Sequence, residues 1–105
     1  MTCKNLTLYK INGTDKNKDK NVIKIKNCNI YSVCVPNIEE ALKVCLEYIR
    51  EENIDSIILC AGFNNIEVGE IDKTTGEHIN VSVVRNDSSP STIVAREKMK
   101  EAGII

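Results

Sequence analysis

Two short segments hold most of the residue types in this chain that can do chemistry. The first, Cys60-Ala61-Gly62-Phe63-Asn64, joins a thiol to a glycine and to an asparagine of the kind that caps helices. The second, Arg85-Asn86-Asp87, places a guanidinium next but one to a carboxylate. Arginine suits a carboxylate or phosphate because its planar fork donates two parallel N–H groups. A helix start behind Asn64 adds free backbone N–H groups and the positive end of a dipole, and Gly62 lets main chain approach a ligand closely. Together these features predict a site for a small anionic molecule, with Arg85, Asp87, Gly62, Phe63, Asn64 and Cys60 as its candidate residues.

Each of these residues also has a purely structural use. Gly62 can simply make a turn, Arg85 can pair with Asp87, and Asn64 can serve only as a cap. Cys60 as a nucleophile would want a base, and the chain has one histidine, His78. His78 opens the last apolar run, so in a parallel sheet it sits at the opposite rim, about 20 Å away for six residues of strand. A Cys–His dyad within one chain is therefore not expected. With no Cys-x-x-Cys and a single histidine, no metal site is expected. No phosphate-binding Gly-x-x-x-x-Gly-Lys or dinucleotide Gly-x-Gly-x-x-Gly occurs, and no cofactor is expected. The pairs Glu39-Glu40 and Glu51-Glu52 read as solvated helix surface rather than as acid–base machinery.

The elements that must position these residues follow from periodicity. Leu6 to Ile11 alternates apolar with polar, as a strand does when one face is covered. Asn12-Gly13-Thr14-Asp15 breaks it, and a charged loop runs to about Asn21. Val22 to Lys26 and Ile30 to Val35 are again strand-like, either one bent strand or a hairpin around Asn27-Cys28-Asn29. Asn37 and Glu40 form a capping-box pattern at the head of a helix ending near Asn53. Its apolar stripe is Ile38, Leu42, Cys45, Tyr48 and Ile49. Ser56 to Cys60 is apolar on both alternations, as for a central parallel strand covered on both faces. Asn64 and Glu67 then start a short helix that stops by Gly76, Ile79 to Val84 is the last strand, and Ser89-Pro90 opens a final helix to about Ala102. Strands alternating with helices predict a single three-layer α/β domain over residues 1–105. It should be a mostly parallel sheet of four to five strands with helices on its faces and an antiparallel N-terminal edge.

Composition bounds the rest. The 105 residues suffice for one domain, and 4% aromatics with no tryptophan require an aliphatic core. A net charge of −1 gives no overall pull toward nucleic acid or anionic lipid, and no base-stacking aromatics interleave with the basic residues. Neither nucleic acid nor membrane is therefore expected as a partner. The lysines crowd toward the start, from Lys4 to Lys26, where the only acids are Asp15 and Asp19. No run nears the ~18 apolar residues of a membrane span, and Met1 to Leu6 lacks the apolar stretch of a signal peptide. Five cysteines without paired spacing are expected as free thiols. These points predict a cytoplasmic protein.

At Cys60-Ala61-Gly62-Phe63 and Val83-Val84-Arg85-Asn86-Asp87 the chain resembles a family of small prokaryotic α/β proteins known only as a domain of unknown function. In that family an apolar strand ends Cys-Gly-Gly-Phe, and a later strand ends Val-Val-Arg, an aromatic residue, then Asp. The likeness covers a little over half the chain, from Ile30 to Asp87. Ala61 stands where the family has glycine, Asn86 where it has an aromatic, and Ser89-Pro90 where it has His-Pro. The resemblance implies a shared fold and rim, and no reaction. Three functions stay open: a small-ligand module, a self-assembling interaction protein whose apolar Ile104-Ile105 end seeks cover in a homo-oligomer, and an enzyme whose site is shared between subunits.

Overall fold

In a computed structural model, which describes residues 3–76, 78–84 and 98–103, five strands form one sheet in the order β2-β3-β1-β4-β5. The strands are β1 (Cys3–Lys10), β2 (Lys20–Ile25), β3 (Cys28–Val35), β4 (Ser56–Leu59) and β5 (Asn80–Val83). β1 pairs in parallel with β3 and β4, β5 runs parallel to β4, and β2 is antiparallel to β3 at the edge. The expected mostly parallel sheet with an antiparallel edge is present. β1 itself, though first in sequence, lies at the centre.

The choice between a bent strand and a hairpin is settled as a hairpin. Ile25 pairs with Cys28, so Lys26-Asn27 is a two-residue turn, and Lys26 takes the positive φ of 43° that such turns demand. Asn27-Cys28-Asn29 therefore does not interrupt β3, which starts at Cys28.

Helix α1 (Ile38–Glu52) ends at Asn53, whose left-handed backbone (φ 54°) stops it where expected. Its N-cap is half of the predicted box. The Asn37 side chain accepts from the Glu40 N–H at 2.9 Å, while the Glu40 carboxylate turns to Lys16 at 3.0 Å. Ala41, Val44 and Cys45 are buried, with Ile38, Leu42, Tyr48 and Ile49 packed around them. Helix α2 (Asn65–Thr75) carries the full Asn64–Glu67 capping box and stops at Gly76.

The core is aliphatic, as composition requires. Leu6 and Leu8 of β1 lie beside Tyr31 and Val33 of β3 and beside Ile57 and Leu59 of β4, all on one sheet face. β3 to β4 and β4 to β5 step in the same direction across the sheet. Right-handed crossovers stepping the same way place their helices on the same face. Ile57 and Leu59, on the face of α1 and α2, are fully buried; on the other face Cys60 is buried and Ile58 is 37% exposed. What reaches that face among the described residues is the helical turn at 98–101, whose Met99 shares a cavity wall with Thr7 and Ile58. Gly103 (φ 80°) ends this turn, just past the helix end expected near Ala102. Residues 90–97 of the expected last helix lie outside the described residues.

Candidate functional site

Because β1, β3, β4 and β5 run the same way, their ends at Lys10, Val35, Leu59 and Val83 share one rim. Ligands of open α/β sheets bind beyond such carboxyl ends. On the helix-covered side of this rim, Lys10 Nζ meets both oxygens of the Glu67 carboxylate at 2.7 and 2.9 Å and stands 5.7 Å from the Phe63 ring centre. Glu67 in turn accepts the Asn64 N–H at 3.0 Å, and Asn64 Oδ1 accepts the Glu67 N–H at 2.8 Å. The positive start of α2 is thus already faced by an internal carboxylate. Phe63 is buried beneath the ammonium, and the Asn64 side chain is engaged as a cap. Lys10 was invisible as a site residue in the sequence because its partner is 57 positions away. The one available signal is a charged residue closing an otherwise half-apolar strand.

On the open side of the rim the arrangement is different. A cavity of ≈ 280 Å³ is lined by Thr7, Tyr9, Ile58, Cys60, Ala61, Val84 and Met99. Its wall is mostly apolar. Cys60 is buried, and its Sγ accepts two backbone N–H groups, from Lys10 and from Gly62, each at 3.4 Å. The donors come from the end of β1 and from the exit turn after β4, so the strand pairing itself holds the sulfur at the cavity wall. Cys34, two strands away on the same face, has its thiol pushed up chiefly by burial, then by the charge of Asp19.

The six residues that the sequence nominates thus divide. Cys60 lines the cavity and Gly62 bonds to its sulfur, while Phe63 and Asn64 face the Lys10–Glu67 cluster. Arg85 and Asp87 lie outside the described residues; Val84, which precedes Arg85 in the chain, is on the cavity wall. His78 precedes β5, and β5 is parallel to β4. The histidine is thus at the opposite end of the sheet from Cys60, and no base accompanies the thiol from that source. Among the described residues no group of three or more His, Cys, Asp or Glu side chains is placed to hold a metal ion. Nor is any helix long and apolar enough to cross a membrane.

A second hollow, ≈ 430 Å³, opens where the loop after β1 meets the start of α1, lined by Thr14, Asp15, Lys16, Asn17, Pro36, Asn37 and Glu40. It is polar, and its Lys16–Glu40 ion pair (3.0 Å) ties the loop to the helix. Lys16 holds the Glu40 carboxyl below its ordinary value.

With strand order, rim and cavity in place, comparison with known proteins adds one finding. The model of the family of unknown function DUF6506 matches residues 4–98. The chain belongs to this family. DUF6506 membership agrees with the likeness to a domain of unknown function seen at Cys60–Phe63 and Val83–Asp87. The span matched by the DUF6506 model runs from β1 to the final helical turn, so it takes in the whole sheet, Cys60 and Arg85. No curated protein and no solved structure matches the chain.

Proposed function

We propose that this chain is a binding module for a small molecule with an apolar body and one anionic group. The body would occupy the cavity between β1, β4 and the turn at 98–101, and the anionic group would be met by Arg85. The observation that carries the reading is the cavity wall itself. Ile58, Ala61, Val84 and Met99 offer apolar surface, while the lining residues with a polar group are few: Thr7, Tyr9 and Cys60. Such a lining, mostly apolar with a few convergent polar atoms, is what small-molecule sites use. The volume, ≈ 280 Å³, sits just below the usual span of about 300–1,000 Å³ and selects a small ligand.

Native mass spectrometry on protein purified gently from its expression host tests this, with Arg85→Ala and Val84→Asp as variants. A retained small mass in the wild type, lost in both variants while their thermal midpoints stay close to wild type, is the expected result. The reading fails if nothing is retained, or if the mass survives in both variants.

Self-assembly is the second reading, and one observation favours it. On the edge strand β2 every residue is exposed, with Ile23 at 46% and Ile25 at 52%. Sedimentation of the wild type against Ile23→Thr/Ile25→Thr decides it: a dimer that falls to monomer supports this reading, and a wild-type monomer ends it. Residues 104 and 105, which suggested an apolar terminus, lie outside the described residues.

A further inference from the structure

The opposite end of the sheet from the cavity holds a second reactive arrangement. β1 and β3 begin in register at Cys3 and Cys28, which are direct partners across a parallel ladder. The ladder is extended at this point by the Cys3 N–H bonding to the Asn27 carbonyl at 2.7 Å. Partners on one ladder project to the same sheet face, so the two thiols stand side by side on the face opposite α1 and α2. Adjacent strands lie about 4.8 Å apart, within the Cα separation of about 4.4–6.8 Å that a disulfide tolerates. Cys3 is exposed and Cys28 half-buried, so small solutes reach the pair.

The other cysteines are placed against such pairing. Cys34 partners Tyr9, and Cys60 lies on the far side of Tyr9 where its sulfur takes the Lys10 N–H. Cys34 and Cys60 are thus two strands apart, about 9.6 Å, beyond what a disulfide can span without backbone movement. Cys45 is buried in α1 on the opposite face.

We infer that Cys3 and Cys28 form a dithiol–disulfide couple that exchanges with small-molecule disulfides. The thiolate of one cysteine attacks a sulfur of the small disulfide, forming a mixed disulfide and expelling one small thiolate. The neighbouring cysteine loses its proton to water and attacks the protein sulfur of that mixed disulfide. The Cys3–Cys28 bond forms, and the second small thiolate leaves and is protonated. Two protein thiols are oxidised, and one small disulfide is reduced to two thiols. The Cys3 S–H donates to the Cys28 sulfur, and that bond, followed by the charge Cys28 carries when ionised, raises the Cys3 thiol above its ordinary value, so exchange quickens in mildly alkaline solution.

The test incubates the reduced full chain with oxidised glutathione at mildly alkaline pH, quenches in acid, alkylates the remaining thiols and maps the masses. The expected result is an intact mass lower by two hydrogens, a cross-link joining Cys3 to Cys28, and return to the starting mass on adding dithiothreitol. Cys3→Ser and Cys28→Ser should each stop at a stable glutathione adduct, while Cys34→Ser bridges as the wild type does. The wild-type map alone is decisive, so the result does not depend on how the variants fold. Unreacted thiols, two glutathione adducts without a bridge, or a bridge between any other pair would each overturn the assignment.

Discussion

Lys10 and Cys45 mark the two ways in which single residues gain their roles here. Lys10 is one of several lysines in a basic N-terminal stretch, and nothing in its local spacing sets it apart. In the fold it joins the end of β1 to the start of α2 through Glu67, with both side chains largely shielded from water. Lys10→Met should therefore cost about 1–3 kcal/mol, the usual worth of a hydrogen bond to a charged group, read from urea midpoints. Adding Glu67→Gln should recover part of the loss, because the carboxylate is then no longer left without its cation. Cys45, by contrast, was legible as a packed residue from its place in an apolar stripe. Burial pushes its thiol up to about 12 from an ordinary 9.0. The folded state then keeps a proton that the unfolded chain loses, so this contribution is fully present below pH 9 and is lost as pH rises from 9 toward 12. Urea midpoints measured between pH 8 and 11 should fall with rising pH. Cys45→Ala should flatten the fall, leaving the contributions of Cys34, Tyr31 and Tyr48, whose ionisation burial also disfavours.

Among the elements, those written by local chemistry were the readable ones. The cap at Asn37, the box at Asn64–Glu67 and the stops at Asn53 and Gly76 all depend on residues within one turn of each other. The partial miss is instructive: Glu40 has the right spacing for a reciprocal box, but Lys16 offers its carboxylate a full charge in place of one backbone N–H. Helix α2 also contains an avoidable weakness. Gly69 sits in its interior, and a Cβ built there would meet nothing within 4 Å. Gly69→Ala should thus stabilise the protein by about 0.5–1 kcal/mol, seen as a higher thermal midpoint with an unchanged far-ultraviolet spectrum. A loss of stability would mean that the helix surface at this point is covered in solution.

At the scale of the whole molecule, the central position of β1 sets where stability is concentrated. Leu8 is fully buried between β3 and β4, so Leu8→Ala should cost about 2–5 kcal/mol, a large part of the 5–15 kcal/mol typical of a domain. Ile58→Thr, only one residue from the fully buried Leu59 but on the open face, should cost about 1 kcal/mol or less, and chemical denaturation of the pair checks the contrast. The alternation of β1, the caps, the aliphatic core and the α/β class were all present in the sequence, because each rests on neighbours a few residues apart. Strand order was not, since any run of apolar alternation can pair with several others, and only burial of all of them together selects β1 for the middle. The placement of α1 and α2 on one face follows from that order and from the handedness of the crossovers, neither of which the apolar run Ser56–Cys60 records. The Cys3–Cys28 pair joins residues 25 positions apart and the Lys10–Glu67 clasp 57, while the cavity beside Cys60 is lined from Thr7 to Met99, 92 positions apart. Pairing between distant strands brings them together, and no local spacing records that pairing.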